Sequence, residues 1–229
     1  MAGLMYKNFL LYRIELIVIA VVQLFVSATA LLISLTGSDP VGALLLYGCM
    51  FLLTGFFESG LFAPDEKQSA RSFLICAPTG AAGHIRSKYF FVLLINLGVL
   101  LCCFLTHSVI FGRYGEEYAM TGKVLVLLCS FSLINEALTL PFIVYFGTNY
   151  GLNAKGSAIG VLLLLALLYG LFGDISYFLS NDFMTALEKL LADENIRLLR
   201  LLAPWVALLL YWLSCKLSVV LFRRTAEEG

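Results

Sequence analysis

The sequence predicts an all-α integral membrane protein with six transmembrane helices. Hydrophobic residues make up 61% of the chain and charged residues 13%, and the mean hydropathy is +0.94, whereas soluble domains are ~45–50% apolar and ~25% charged. Apolar runs such as VLLLLALL at 161–168 are continuous, unlike the alternating strands of a membrane β-barrel. This composition excludes soluble enzymes, nucleic-acid binders and disordered segments. The fifteen basic and fifteen acidic residues also leave no net charge that would indicate a polyanionic partner.

Six apolar stretches are long enough to cross a bilayer core, which takes about 20 helical residues. They lie at about 14–35, 41–61, 89–110, 124–146, 157–179 and 202–221, within a single transmembrane domain over residues 1–229. The first stretch has one alternative interpretation, a secretory signal cleaved after Ala28-Thr29-Ala30. Gln23 interrupts that run and the run continues to Leu35, which favours a retained span.

The distribution of basic residues predicts that both termini lie in the cytoplasm. Lysine and arginine are enriched in cytoplasmic connections, and a cytoplasmic N-terminus places ten of them inside and five outside. The inside set is Lys7, Arg13, Lys67, Arg71, Arg86, Lys88, Lys155, Lys216, Arg223 and Arg224, and the outside set is Arg113, Lys123, Lys189, Arg197 and Arg200.

The last outer connection, Ser180 to Arg200, is predicted to contain an amphipathic helix before span 6. Asp182 can cap its N-terminus, and Phe183, Leu187 and Leu190 then share one face. Such a segment lies in the outer membrane interface; the alternative is a plain surface helix.

The connection between spans 2 and 3, Pro64 to Phe91, carries the most information. Its middle is apolar around Phe73, and an exposed apolar patch indicates a protein partner or the membrane surface. Pro78 ends one helix. Thr79 can cap the next, which runs through His84 and Arg86 into span 3.

This connection resembles that of ABC-type-2 permeases, the membrane subunits of bacterial ABC exporters, especially the half-size six-span type. The matching residues are Asp65-Glu66-Lys67, Phe73-Leu74, Pro78 and Ser87-Lys88-Tyr89, and the start Gly3-Leu4-Met5-Tyr6-Lys7-Asn8-Phe9 also looks like that of the family. One departure is Gly80-Ala81, where the family often has Ser-Arg.

The resemblance implies a permease in the bacterial plasma membrane that forms an export pathway as a homodimer or heterodimer. The connection would be a cytoplasmic coupling helix that contacts a separate ABC ATPase subunit through Phe73, Pro78, Thr79, His84 and Arg86; for His84 the alternative is a solvated loop residue. This chain has no G-x-x-x-x-G-K-[ST] motif. ATP and Mg would therefore bind to the partner subunit, and this chain would bind no cofactor. The aromatic content of 14% and the amphipathic outer segment fit an amphipathic peptide or a lipid-like compound as the substrate.

Polar residues inside spans are the other candidate site, because a charge in mid-bilayer costs at least ~2.5–3.5 kcal/mol. Glu136 lies near the middle of span 4 beside Asn135 and before the helix-kinking Pro141. Together with Asp174 it is a candidate for the pathway or a subunit interface. Two interpretations of Glu136 remain open: contact with substrate or protons, and a protonated side chain hydrogen-bonded to a neighbouring helix. His107 is expected to be a hydrogen-bonded interface residue.

Other function classes have weaker support. An ion-coupled secondary transporter or channel would use Glu136 and Asp174, but such proteins usually have more spans and paired broken helices. An intramembrane enzyme is disfavoured, because the chain has two histidines and no G-x-S-x-G or H-E-x-x-H motif. The six cysteines show no CxxC spacing, so they are interpreted as packing residues and no metal site is predicted.

Overall fold

The structure is a computed structural model, and every regular element that it describes is helical. The described residues are 2–35, 40–62, 80–114, 119–150 and 194–227, with the single positions 153, 156, 157 and 164. Six helices are numbered here in chain order: α1 Ala2–Leu11, α2 Arg13–Leu35, α3 Pro40–Gly60, α4 Gly80–Tyr114, α5 Ala119–Phe146 and α6 Glu194–Glu227.

Within these residues, four helices are long and apolar enough to cross a membrane, and the chain is a multi-pass membrane protein. Their spanning segments, Arg13–Leu35, Gly80–Gly112, Val124–Phe146 and Leu201–Arg224, coincide with predicted spans 1, 3, 4 and 6. Helix α3 occupies predicted span 2, and its described stretch Leu46–Gly55 is apolar. Predicted span 5 and most of the predicted amphipathic outer segment lie outside the described residues.

Two helices extend beyond the predicted apolar runs. Helix α4 begins at Gly80, nine residues before the apolar run, which confirms a continuous helix through His84 and Arg86. Helix α6 begins at Glu194 and contains Pro204, so the end of the outer segment is continuous with span 6.

Helix α1 was not predicted. The backbone continues from α1 into α2 through Tyr12, whose N–H donates to the carbonyl of Asn8 at 3.0 Å. Phe9 and Leu10 on α1 are exposed while Asn8 is buried. A short helix with an apolar exposed face is typical of a membrane interface.

Helices α1 and α2 run parallel to α4 with a constant offset in residue number. Side chains meet in the pairs Asn8–Ser87, Gln23–Cys103 and Ser27–Thr106, which are 79, 80 and 79 residues apart. Since the offset does not change along the helices, their N-terminal ends lie at the same end of the bundle.

Helices α5 and α6 run antiparallel to α4. Ser132 donates to Asn96 and a Cβ on Gly122 would meet His107, while Ser218 meets Tyr89 and Phe222 meets His84. The start of α1, the end of α3, the start of α4 and the end of α6 therefore lie together, at what we call the loop end of the bundle. The opposite end, near His107, is the far end.

The outer surface of the bundle is apolar. Leu24, Phe25 and Trp205 are each 69–70% exposed, and many other large apolar side chains of α2, α4, α5 and α6 are exposed with them. A contiguous apolar surface of this kind needs lipid or another protein against it.

Candidate functional site

The loop end begins at Gly80, the first residue of α4. Its φ of +59° lies in the left-handed region, which costs an L-residue with a side chain roughly 1–2 kcal/mol. Glycine is therefore the residue that suits this turn into the helix, which accounts for the Gly80-Ala81 departure from the family pattern.

Three consecutive residues of α4, Ser87, Lys88 and Tyr89, contact three different parts of the chain. Successive side chains on a helix point about 100° apart. Ser87 Oγ accepts from Asn8 Nδ2 of α1 at 3.5 Å, Lys88 Nζ donates to the carbonyl of Leu61 just after α3, and Tyr89 meets α6. All three residues are at most 2% exposed, so this tripeptide joins the elements of the loop end.

Lys88 is a buried cation at the C-terminal end of α3. Its Nζ lies 2.5 Å from the carbonyl oxygen of Leu61 and 4.9 Å from the centroid of the Phe62 ring. The last carbonyls of a helix have no intrahelical donor and carry the negative end of its dipole, and an ammonium over an aromatic face gains about 0.5–2 kcal/mol. The Tyr12 hydroxyl donates to the same carbonyl at 2.7 Å.

Tyr89 links α4 to α6 by hydroxyl contacts. Its hydroxyl lies 2.9 Å from Ser214 Oγ and 2.7 Å from Ser218 Oγ. The Tyr211 hydroxyl donates to the backbone carbonyl of Tyr89 at 2.7 Å, and the two tyrosine rings are 5.1 Å apart. Interhelical hydrogen bonds in membranes contribute ~0.6 kcal/mol on average and up to ~1.7, so this set holds α6 firmly against α4.

Of the residues predicted to contact an ATPase subunit, the structure describes two. Phe73, Pro78 and Thr79 lie outside the described residues. Arg86 is exposed at the loop end, whereas His84 is 2% exposed and its ring centroid lies 6.3 Å from that of Phe222. His84 is therefore not a solvated loop residue: it packs inside the bundle, and only Arg86 of this pair presents its side chain at the surface.

The adjacent residues Asn135 and Glu136 face different surroundings. Asn135 lines a cavity of about 140 Å³ between α3 and α5, together with Phe51, Phe131 and Ser132. Glu136 is fully buried within the chain and lies within electrostatic range of Tyr89.

Glu136 lies in the middle part of the spanning segment Val124–Phe146, as the sequence predicted. The pairs Asn96–Ser132 and His107–Gly122 fix the register of α4 and α5, and on that register Glu136 is level with Val92. Pro141 follows inside α5 and has no N–H for the carbonyl of Ala137. Asp174 lies outside the described residues.

His107 packs against a glycine at the far end. It is 7% exposed, and a Cβ built on Gly122 would lie 2.7 Å from its Nε2. Its buried Nδ1 has no hydrogen-bond partner among the described residues, so the expected hydrogen bond is not seen there. Within the same residues, no group of three or more His, Cys, Asp or Glu side chains is placed to hold a metal ion.

A second cavity, apolar and of about 450 Å³, lies at the loop end between α1, α2 and α4. Met5, Phe9, Leu16 and Phe91 are among the residues that line it. This volume lies within the range of ~300–1,000 Å³ that is usual for ligand sites, and its lining is apolar apart from Tyr6.

Sequence reasoning missed the cluster of Tyr12, Leu61 and Lys88. Lys88 was counted only as a cytoplasmic basic residue and as part of a family motif. Its position at the start of an apolar run is equally typical of a lysine whose ammonium extends to the membrane interface. The sequence signal for this cluster was the tripeptide Ser87-Lys88-Tyr89. It resembles a family motif, but the motif does not indicate which residues the lysine contacts.

Comparison with known proteins agrees with the resemblance on the sequence. A family model described as ABC-2 family transporter protein matches residues 3–223. No curated protein and no solved structure matches the chain significantly.

Proposed function

Because the chain belongs to the ABC-2 family of transporter proteins, we propose that it is the membrane-spanning permease subunit of an ATP-driven exporter. Two such subunits, identical or similar, form the pathway in a bacterial plasma membrane. Membrane subunits of this family carry no ATPase domain, so ATP and Mg bind on a separate ABC ATPase subunit, and this chain binds no cofactor and catalyses no reaction.

The observation that carries the proposal is the family match over residues 3–223, which includes all six predicted spans. It favours ATP-driven transport over the ion-coupled alternative. The loop end supports it, since both termini and both flanks of residues 63–79 lie there. Ten of the fifteen basic residues are predicted on that side, which makes it the cytoplasmic side on which an ATPase would bind.

We place the ATPase contact on Phe73, Pro78 and Thr79, continued by the exposed Arg86 at the start of α4. His84 contributes differently in this proposal. Its buried ring packs against Phe222 of α6, so it holds the start of α4 in place from within rather than touching the partner.

We place the pathway or the subunit interface along the face of α5 that carries Asn135. The cavity at Asn135 combines apolar side chains such as Phe51 and Leu128 with the polar groups of Ser132 and Asn135. That mixture suits an amphipathic peptide or a lipid-like compound. Glu136 faces into its own chain, which favours its structural interpretation, and Asp174 stays a candidate from the sequence alone.

The test introduces a charge into the apolar patch of the loop. Phe73→Glu is expected to abolish or strongly reduce co-purification of the ATPase subunit with the tagged chain from the native membrane, because a carboxylate is expensive to bury in an apolar contact. Co-purified protein and its ATP hydrolysis are the measurements.

The matched control is Ser69→Glu, which puts the same charge in the same loop outside the patch. It is expected to retain the ATPase subunit. Equal ATPase recovery with both variants would remove Phe73 from the contact, and no ATPase with the unsubstituted chain would refute the exporter.

A further inference from the structure

We propose that Lys88 is a positioning residue that fastens α3 to α4, so that the two helices flanking residues 63–79 move as one body when the ATPase subunit acts on the chain. The inference rests on the proposed function, because it concerns how a movement of the ATPase subunit at the loop end is transmitted to the spans.

One backbone carbonyl joins three parts of the bundle. The carbonyl of Leu61 accepts from Lys88 Nζ of α4 at 2.5 Å and from the hydroxyl of Tyr12, between α1 and α2, at 2.7 Å. Leu61 directly follows α3 and is 3% exposed. The end of α3 is thereby attached to α4 and to the start of α2 at a single buried point.

A charged donor suits this point better than a neutral one. Charge-assisted hydrogen bonds are shorter and roughly twice as strong as neutral ones, and water is excluded from a side chain that is 2% exposed. A lysine at the edge of a span usually extends its ammonium to the interface. Lys88 instead places it against Leu61 and the Phe62 ring.

The neighbours of Lys88 extend the attachment to the rest of the loop end. Tyr89 joins α4 to Ser214 and Ser218 of α6, and Ser87 meets Asn8 of α1. Another described contact between the Leu61-Phe62 turn and α4 is the edge-to-face packing of Phe62 on Tyr89 at 6.4 Å, which lacks the directionality of a hydrogen bond. Lys88 is therefore the residue whose loss would let α3 separate while α4 and α6 stay joined.

The experiment measures the distance between α3 and α4 in the assembled complex. Spin labels are attached at cysteines replacing the exposed Leu53 of α3 and Phe90 of α4, in a chain whose native cysteines are replaced by alanine. Labelled chains are diluted with unlabelled ones, purified with their ATPase subunit, and compared without nucleotide and after trapping with ADP and vanadate.

In the unsubstituted chain, the label distance is expected to be the same in both states. In Lys88→Met the distribution is expected to broaden and to shift on trapping, with the separated population raised about tenfold, as the loss of a charged hydrogen bond implies. Lys88→Arg keeps a buried cationic donor and is expected to restore the unsubstituted result.

Two further variants keep the test decisive. Lys216→Met, at an exposed lysine over Trp212, is the matched control and is expected to change nothing. If Lys88→Met does not accumulate, Phe62→Leu removes the ring beneath the ammonium and is expected to give the same shift at smaller size.

The outcomes separate the two proposals. An assembled complex in which the substituted chain, Lys88→Met or Phe62→Leu, keeps the unsubstituted distances in both states overturns the role of Lys88 and leaves the exporter standing. Failure of the unsubstituted chain to co-purify with any ATPase overturns both.

Discussion

The loop end and the far end of the bundle are held together by different interactions. At the loop end, a lysine, three tyrosines and two serines form short, buried hydrogen bonds between elements distant in sequence. Toward the far end, the described hydrogen bonds between α2 and α4 are Gln23 Nε2 to Cys103 Sγ at 3.4 Å and Thr106 Oγ1 to Ser27 Oγ at 3.0 Å. Among the described residues, short hydrogen bonds between helices therefore fasten the loop end more than the far end.

Alternating access requires helices to separate, so the strength of the contacts at each end of the bundle bears on transport. The described contacts place the resistance to parting at the loop end, where the ATPase is proposed to bind. Because fewer short hydrogen bonds join the described helices toward the far end, α2 and α4 are expected to separate there at lower cost. Three substitutions sharpen this contrast.

The largest effect is expected at the tight contact between Gly122 and His107 toward the far end. In Gly122→Val the new Cβ would approach His107 Nε2 to 2.7 Å, and overpacking of this kind costs typically ~1–3 kcal/mol. We expect a clear fall in the temperature at which half of the detergent-solubilised protein stays monodisperse. Gly112→Val is the control, because a Cβ there meets nothing within 4 Å. Equal melting of the two variants would show that His107 moves aside freely.

A smaller loss is expected from Tyr89→Phe at the loop end. The substitution leaves Ser214 and Ser218 without the hydroxyl that they share, and two membrane hydrogen bonds are worth about 1–2 kcal/mol together. The same melting measurement applies, with the exposed Tyr145 changed to Phe as the control. A double-mutant cycle with Ser218→Ala that shows no coupling would contradict the fastened loop end.

The smallest effect is expected from Gln23→Leu in the far half. The Gln23 amide makes two contacts of 3.4 Å, and its buried Oε1 has no hydrogen-bond partner among the described residues, so replacing it with an apolar group should be neutral or slightly stabilising. The parallel change Asn96→Leu removes the 3.0 Å contact with Ser132 nearer the loop end and should destabilise. If Gln23→Leu destabilised more in the same melting assay, the contrast between the ends would be reversed.

The sequence predicted the spans well and the contacts at their ends poorly. Four apolar runs of about 20 residues coincide with membrane-length helices, because the bilayer imposes that length on any spanning helix. Helix α1 was not predicted, because it has only ten residues and Lys7 and Asn8 interrupt its apolar pattern. Its burial of Asn8 depends on Ser87, 79 residues away, which no local pattern contains.

The sequence predicted the helix that runs through His84 and Arg86, but not the contacts that surround it. The apolar patch and the proline of residues 64–91 pointed to the loop end, and helix α4 begins at Gly80, where Thr79 was expected to cap it. Hydropathy treats Lys88 and His84 as residues that belong in water. Both are buried because partners from other helices meet them there, and such partners are visible only in three dimensions.

The constant offset of about 79 residues between α1–α2 and α4 has a consequence for biogenesis. Ribosomes add about 5–20 residues per second, so Asn8 and Ser27 wait roughly 4–16 s after their own synthesis before Ser87 and Thr106 exist. During that interval the first hairpin stands in the bilayer with its polar groups facing lipid or an insertion factor.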